Sequence, residues 1–353
     1  MARNRFSTFA WGVFAYGVLV ILWGYFLRIS RSGDGCGTDW PLCHGALVPQ
    51  TPAFPTLVEY VHRFSSGIVL LLVAAMVVWA FRAYPRGHVV RLAAAVTLLL
   101  TVTESLFGAF LVVFGLVADD ASLARVLIRP FHVTNTFLLL GALALTPWWA
   151  SRPPVTRLRL PQGDTLPVLG GAFLLLLLGW TGSWTGLANA AFPAESLQGG
   201  LTQYLHPEHF LVHLRVTHPV VAVAGIVALA WLGLRFRSRG GILAPLGLAL
   251  TIAAGLQALV GPLAVLLREA ISTRLLHLLL ADAAWVLLLF SAAVLAGEGT
   301  RTIVTGPGGG SSDSGGEGAG TGGAGGGTGG ERVGPGGGPD AGQPGRAPRI
   351  TAG

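Results

Sequence analysis

Lysine is absent from this 353-residue chain, and acids are few: all 23 basic residues are arginine, against 16 Asp and Glu. Charged residues make up only 11% of the sequence, where soluble domains carry about 25%. So little charge excludes a soluble enzyme. The net charge of +7 does not point to nucleic acid, because the arginines stand singly or in short clusters between apolar runs and form no basic stripe. Cysteine is nearly missing as well, with two residues in the chain.

What is present is apolar. Residues of that class make up 52% of the whole, and they are concentrated before about Thr302, after which glycine dominates. Runs long enough to cross about 30 Å of hydrocarbon, roughly 20 residues each, are Phe9–Leu27, Gly67–Phe81 with an outward extension, Leu92–Val117, Phe131–Ala150, Leu166–Leu187, Phe210–Leu234, Ile242–Leu267 and Leu275–Ala296. The expectation is an all-α membrane protein of eight transmembrane helices. The first run is too long for a signal-peptide h-region and has no A-x-A-like site after it. The segment 301–353 has too little apolar surface to fold and reads as a disordered cytoplasmic tail.

Orientation follows from arginines in the short loops. Arg3, Arg5, Arg82, Arg86, Arg91, Arg152, Arg157, Arg159, Arg235, Arg237 and Arg239 fall on one side. The other side has Arg28, Arg31, Arg125, Arg129, Arg268 and Arg274, offset by Asp34, Asp39, Asp119, Asp120, Glu195 and Glu269. Both termini are therefore expected in the cytoplasm, in the cell membrane, with the loop Arg31–Pro55 outside. Cys36 and Cys43 lie in that loop, within Gly35-Cys36-Gly37-Thr38-Asp39-Trp40-Pro41-Leu42-Cys43-His44-Gly45. An oxidising compartment permits a disulfide, and three readings stand open: a structural staple, a redox-active pair, or a metal site with His44 that lacks an evident fourth ligand.

Ionisable residues within spans are costly and mark function by default. Here they repeat. Glu59-Tyr60-Val61-His62, Arg129-Pro130-Phe131-His132, Arg215-Val216-Thr217-His218 and Arg274-Leu275-Leu276-His277 each set a charged residue three positions before a histidine, one turn away on one face. The second and fourth spans match the sixth and eighth at offsets of 156 and 145 residues, which predicts two pseudo-symmetric four-helix bundles, 1–150 and 151–300. Four histidines at one depth, two per half, suit bis-imidazole ligation of haem iron; zinc would want more ligands. Any one of them alone would read as a packed, hydrogen-bonded histidine.

Arg129, Arg215 and Arg274 are candidate propionate contacts, or else they snorkel to the interface. In the first half the matching position is Glu59, so the two sites differ by an acid, as a reaction site differs from a cofactor site. Glu59 is the candidate catalytic carboxylate, with pairing to Arg63 or Arg129 as its alternative. Glu104 lies deep in the third span, where it could carry protons or pair with another helix, and Asp282 lies five residues beyond His277 on a somewhat different face; neither has an assigned role. His206, His209 and His213 read as solvated or hydrogen-bonded residues, with His213 a competitor to His218, and His88 as inert. Trp11, Trp23, Trp148, Trp149 and Trp180 read as interfacial belt residues.

The cysteine loop followed by Glu59-Tyr60-Val61-His62-Arg63, with eight spans and paired histidines over about residues 9–297, resembles haem A synthase. The resemblance implies oxidation of the C8 methyl group of haem O to a formyl group, supplying haem A to terminal oxidase. It implies haem b on His218 and His277 in the C-terminal half, and haem O at His62 and His132 with Glu59 in the N-terminal half. It further implies a Cys36–Cys43 disulfide near the active site. Haem O synthase (protohaem farnesyltransferase) and terminal oxidase assembly factors are the implied partners, within the lipid bilayer. Two competing readings are a b-type electron carrier, poorly served by four histidines at one level, and a non-catalytic haem carrier.

Overall fold

The computed structural model describes residues 2–304 except 51, 119, 154–157, 195 and 208. Expectations resting on Asp119, Arg157, Glu195 and the glycine-rich tail beyond 304 lie outside the described residues. The elements are α1 (Ala2–Ile29), α2 (Phe54–Ala83), α3 (Val89–Val113), α4 (Leu123–Ala150), α5 (Gln162–Ala191), α6 (Leu197–Leu205), α7 (Phe210–Leu214), α8 (Thr217–Arg237), α9 (Leu243–Leu266) and α10 (Ile271–Val304). Eight spans are long and apolar enough to cross a membrane, α7 and α8 forming one of them. Large apolar side chains such as Leu71, Leu99, Val223 and Leu259 point outward, as a lipid-facing surface requires. The chain is a multi-pass membrane protein.

Two boundaries differ from expectation, each for a backbone reason. The second span begins at Phe54, because Pro55 starts a helix well in its first turn; the polar stretch Glu59–Arg63 hides that turn from hydropathy. The sixth span is broken between Leu214 and Thr217. Pro219 has no N–H for the carbonyl of Arg215, which lies instead 3.5 Å from the Thr185 hydroxyl. Pro130, inside α4, orphans the Val126 carbonyl in the same way, and Trp184 Nε1 of α5 donates to that oxygen at 3.0 Å.

Packing repeats between the halves. The contacts run α1 to α2, α2 to α3, α3 to α4 and α4 to α1, and equally α5 to α8, α8 to α9, α9 to α10 and α10 to α5. These two four-helix rings meet where α4 lies against α5 and α10, and α1 against α10. Small residues permit close crossings: a Cβ at Gly247 in α9 would stand 2.3 Å from the Gly233 carbonyl in α8. Along the seam Trp285 Nε1 donates to the Phe137 carbonyl at 2.6 Å, and Tyr25 donates to Asp282 Oδ1 at 3.2 Å.

Several tryptophans also make contacts between helices. Trp23 donates to the Val58 carbonyl at 3.0 Å and Trp180 to Thr134 Oγ1 at 2.6 Å, each across helices. Trp148 is buried, stacks on Phe290 with centroids 4.0 Å apart, and carries the Arg152 guanidinium over its ring. Indoles in a span need an internal acceptor, and those of Trp23 and Trp180 find one on a neighbouring helix.

Candidate functional site

The first bundle forms most of the wall of a cavity of about 450 Å³ near the end of the molecule that carries the cysteine loop. Four of its helices supply chemistry: Arg28 from α1, Glu59 and His62 from α2, Glu104 from α3, and Arg129 and His132 from α4. Glu59 is 2% exposed. Its Oε2 accepts the Cys36 N–H at 2.7 Å, and its Oε1 accepts Arg63 Nη2 at 2.5 Å and Nε at 3.1 Å. Arg63 also donates to the carbonyls of Gly37, Asp39 and Leu42. The carboxylate is thus locked to the cysteine loop, and the pairing with Arg63 exists beside any catalytic role.

Cys36 and Cys43 are disulfide-bonded and both buried, and His44 Nε2 faces the Gly35 carbonyl at 2.9 Å. The zinc reading of this loop fails, since a disulfide offers no thiolate. No group of three or more His, Cys, Asp or Glu suited to a metal ion exists among the described residues.

His62 and His132 face the cavity in different states. The Nδ1 of His62 is buried without a hydrogen-bond partner, and the ring lies against Gly24, where a Cβ would approach its Cε1 to 2.8 Å. His132 is engaged at both nitrogens: Nδ1 lies 3.3 Å from Arg28 Nη2, and Nε2 lies 3.0 Å from Glu104 Oε1. Sequence reading gave Glu104 no role, and it is in the cavity wall. Thr136 donates to its Oε1 at 2.6 Å and Asn135 to its Oε2 at 2.7 Å.

In the second bundle His218 of α8 and His277 of α10 bring their ring centroids to 6.2 Å, at 80° to one another. Two metal–imidazole bonds of about 2 Å each leave ring centroids about 6 Å apart, so this spacing fits one iron between two axial imidazoles. The Nδ1 of His277 is buried and unpartnered, while Thr181 Oγ1 lies 3.1 Å from His218 Nδ1. Gly182 and Gly261 abut these rings as Gly24 abuts His62. A helical glycine beside an imidazole therefore occurs in both halves, leaving room for the ring between the helices. His213 is exposed on α7, His209 caps that helix by accepting the Leu211 N–H at 3.2 Å, His206 ends α6, and His88 caps α3.

The arginines sort differently from their sequence symmetry. Arg129 and Arg274 both line the first cavity, together with Arg28 and Arg125. Arg274 stands there because α10 runs along the seam; it also pairs with Glu269 at 3.4 Å. Arg129 has no hydrogen-bond or ion-pair partner among the described residues. Arg215 does not line this cavity: it is buried and donates to the carbonyls of Ala188 at 2.7 Å and Phe192 at 2.5 Å, and to Gln203 Oε1 at 2.6 Å. Its cationic group closes the α5–α7 corner.

The chain is similar in sequence to several known proteins. A protein of Thermus thermophilus named protoheme IX farnesyltransferase is 41% identical over 315 residues, covering 87% of this chain and 51% of that protein. A heme A synthase of an Exiguobacterium species is 41% identical over 107 residues, 30% of this chain and 35% of that protein. One from Halalkalibacterium halodurans is 37% identical over 98 residues, 28% and 33% respectively. The chain thus spans about half the length, or less, of these relatives. A family model described as cytochrome oxidase assembly protein matches residues 7–289, nearly the whole membrane-spanning region, and by that match the chain belongs to the COX15-CtaA family.

Proposed function

We propose that the chain is a haem A synthase, oxidising the C8 methyl group of haem O to a formyl group by two hydroxylations and loss of water from the resulting gem-diol. The observation that carries this reading is a buried carboxylate, Glu59, fixed beside a free imidazole, His62, in the wall of one apolar cavity. Family membership and the names of the heme A synthase relatives support it. Substrate haem O belongs to the half 1–150 and a haem b cofactor to the half 151–300, on His218 and His277. When bound, that haem supplies one-electron redox chemistry.

The residues have separable tasks. Val20, Ile21, Leu70 and Leu143 offer apolar wall to the porphyrin and its isoprenoid chain, and Arg129, Arg274 and Arg28 offer cations to the propionates. Each hydroxylation removes two electrons from the methyl carbon and takes a hydroxyl group from water, the electrons leaving to an external acceptor. A carboxylate has about four acceptor sites, and Cys36 and Arg63 occupy three of those of Glu59. The remaining one, on Oε2, is left for the substrate, where it would stabilise developing positive charge and take the proton of the attacking water.

The arginine asymmetry supports a cell-membrane location with both termini cytoplasmic and the cysteine loop outside. A protohaem farnesyltransferase is the favoured partner, because the Thermus relative that bears that name devotes half its length to a match with this chain. Expression in cells that make haem O, followed by chromatographic resolution of the extracted haems, tests the reading. Formylated haem is expected from the wild type and none from His62→Ala. Unaltered haem O and haem b alone, with oxygen and an electron acceptor supplied, would instead mark a haem carrier.

A further inference from the structure

The two bundles treat their histidines unequally, and Glu104 is the cause. An arginine can only donate, so Nδ1 of His132 accepts from Arg28 and the ring proton sits on Nε2, directed at Glu104 Oε1. Thr136, Asn135 and, through Asn135 Oδ1, Thr103 at 2.7 Å hold that carboxylate in place. Neither nitrogen of His132 then has a lone pair free for iron. In the second bundle the corresponding residue of α9 is Gln257, whose amide donates to the His277 main-chain carbonyl at 2.9 Å and leaves the ring alone.

Resting on the haem reading above, we propose that Glu104 is a positioning residue that holds His132 off the substrate iron, so that the first site binds haem through His62 alone while the second binds through both its histidines. The difference matches what each haem must do. A cofactor stays, and two axial bonds keep it; a substrate must leave as product, and one bond releases it more readily. With Glu104 gone, nothing fixes the ring proton on Nε2; it moves to Nδ1, the 3.3 Å contact to Arg28 opens, and Nε2 is free to ligate iron.

Electron paramagnetic resonance and visible spectra of the ferric protein, purified from cells supplying haem O, test this. The wild type is expected to carry one low-spin haem and one high-spin haem, the latter lost in His62→Ala but retained in His132→Ala. Glu104→Ala should convert the high-spin signal to a second low-spin one, and adding His132→Ala should restore it. Glu104→Gln, which keeps an oxygen acceptor for Nε2, should leave the wild-type pattern. The low-spin second-site signal reports folding in every variant; should Glu104→Ala lose it, His132→Ala decides alone, and loss of first-site haem there overturns the proposal. Two low-spin haems in the wild type, unchanged by Glu104→Ala, overturn it while leaving the haem A synthase reading intact. Absence of any haem dependent on His62 overturns both.

Discussion

Arg63 does more at the candidate site than its surface-like position in the E-x-x-H-R motif implies. It joins Glu59 to three carbonyls of the disulfide loop, so one side chain sets both the carboxylate and the lid above it. Charge-assisted hydrogen bonds contribute about 1.5–3 kcal/mol each. Arg63→Ala is therefore expected to lower haem O conversion by about tenfold or more, with second-site haem content unchanged, as measured by haem extraction and the low-spin signal. Glu59→Ala should go further and stop conversion with haem b still bound; undiminished formylated product would remove Glu59 from the reaction. The motif residues were legible because a charge and an imidazole one turn apart in a span have few other uses. Glu104 was visible as a buried acid but not assignable, since its partner His132 comes from a neighbouring helix at a register no local spacing encodes. Arg215, which the repeat offered as a propionate contact or a snorkelling residue, donates to two main-chain carbonyls and to Gln203, partners from α5, α6 and the turn after α5 that no local spacing encodes.

At the scale of a helix, glycine decides where a flat ligand fits. A side chain at Gly24 would strike the His62 ring, and one at Gly182 would meet His218 at 3.1 Å. Gly24→Val should deplete first-site haem and spare the second, and Gly182→Val should do the reverse, both read as haem stoichiometry per chain. Equal losses from both variants would mean that these glycines serve helix packing alone. The proline breaks carry their own test. Trp184→Phe leaves the Val126 carbonyl orphaned beside Pro130, at a cost of about 1–3 kcal/mol. A lower unfolding temperature in detergent is expected, and an unchanged one would mean that lipid or water reaches that carbonyl. Eight spans could be read from length and hydropathy, because apolar runs of membrane length are a strong local signal, and their repeat from the spacing of a charge and a histidine in every second span. The start of α2 and the interruption after α7 could not, because each depends on where a proline withdraws one N–H within a polar stretch.

For the molecule as a whole, the ends of the bundles are secured by different means. At the end away from the cysteine loop, Asp164 of α5 is buried and bridges Arg239 at 2.6 Å and Arg235 at 3.1 Å, both at the end of α8. Removing one member of such a group strands the rest, and Asp164→Ala should lower the unfolding temperature while leaving the distant first-site haem spectrum unchanged in the protein that remains folded. The seam has a larger consequence. The first cavity is lined by Gly186 and Ala190 of α5 and by Arg274 of α10 as well as by its own four helices, so neither half holds a complete substrate site. A gene cut between the codons for Arg152 and Leu158 should yield two inactive fragments that regain activity when made together, by trans-complementation in the membrane. By the same geometry, the first four helices taken alone would leave their cavity open along one side, and the second half serves them as a wall.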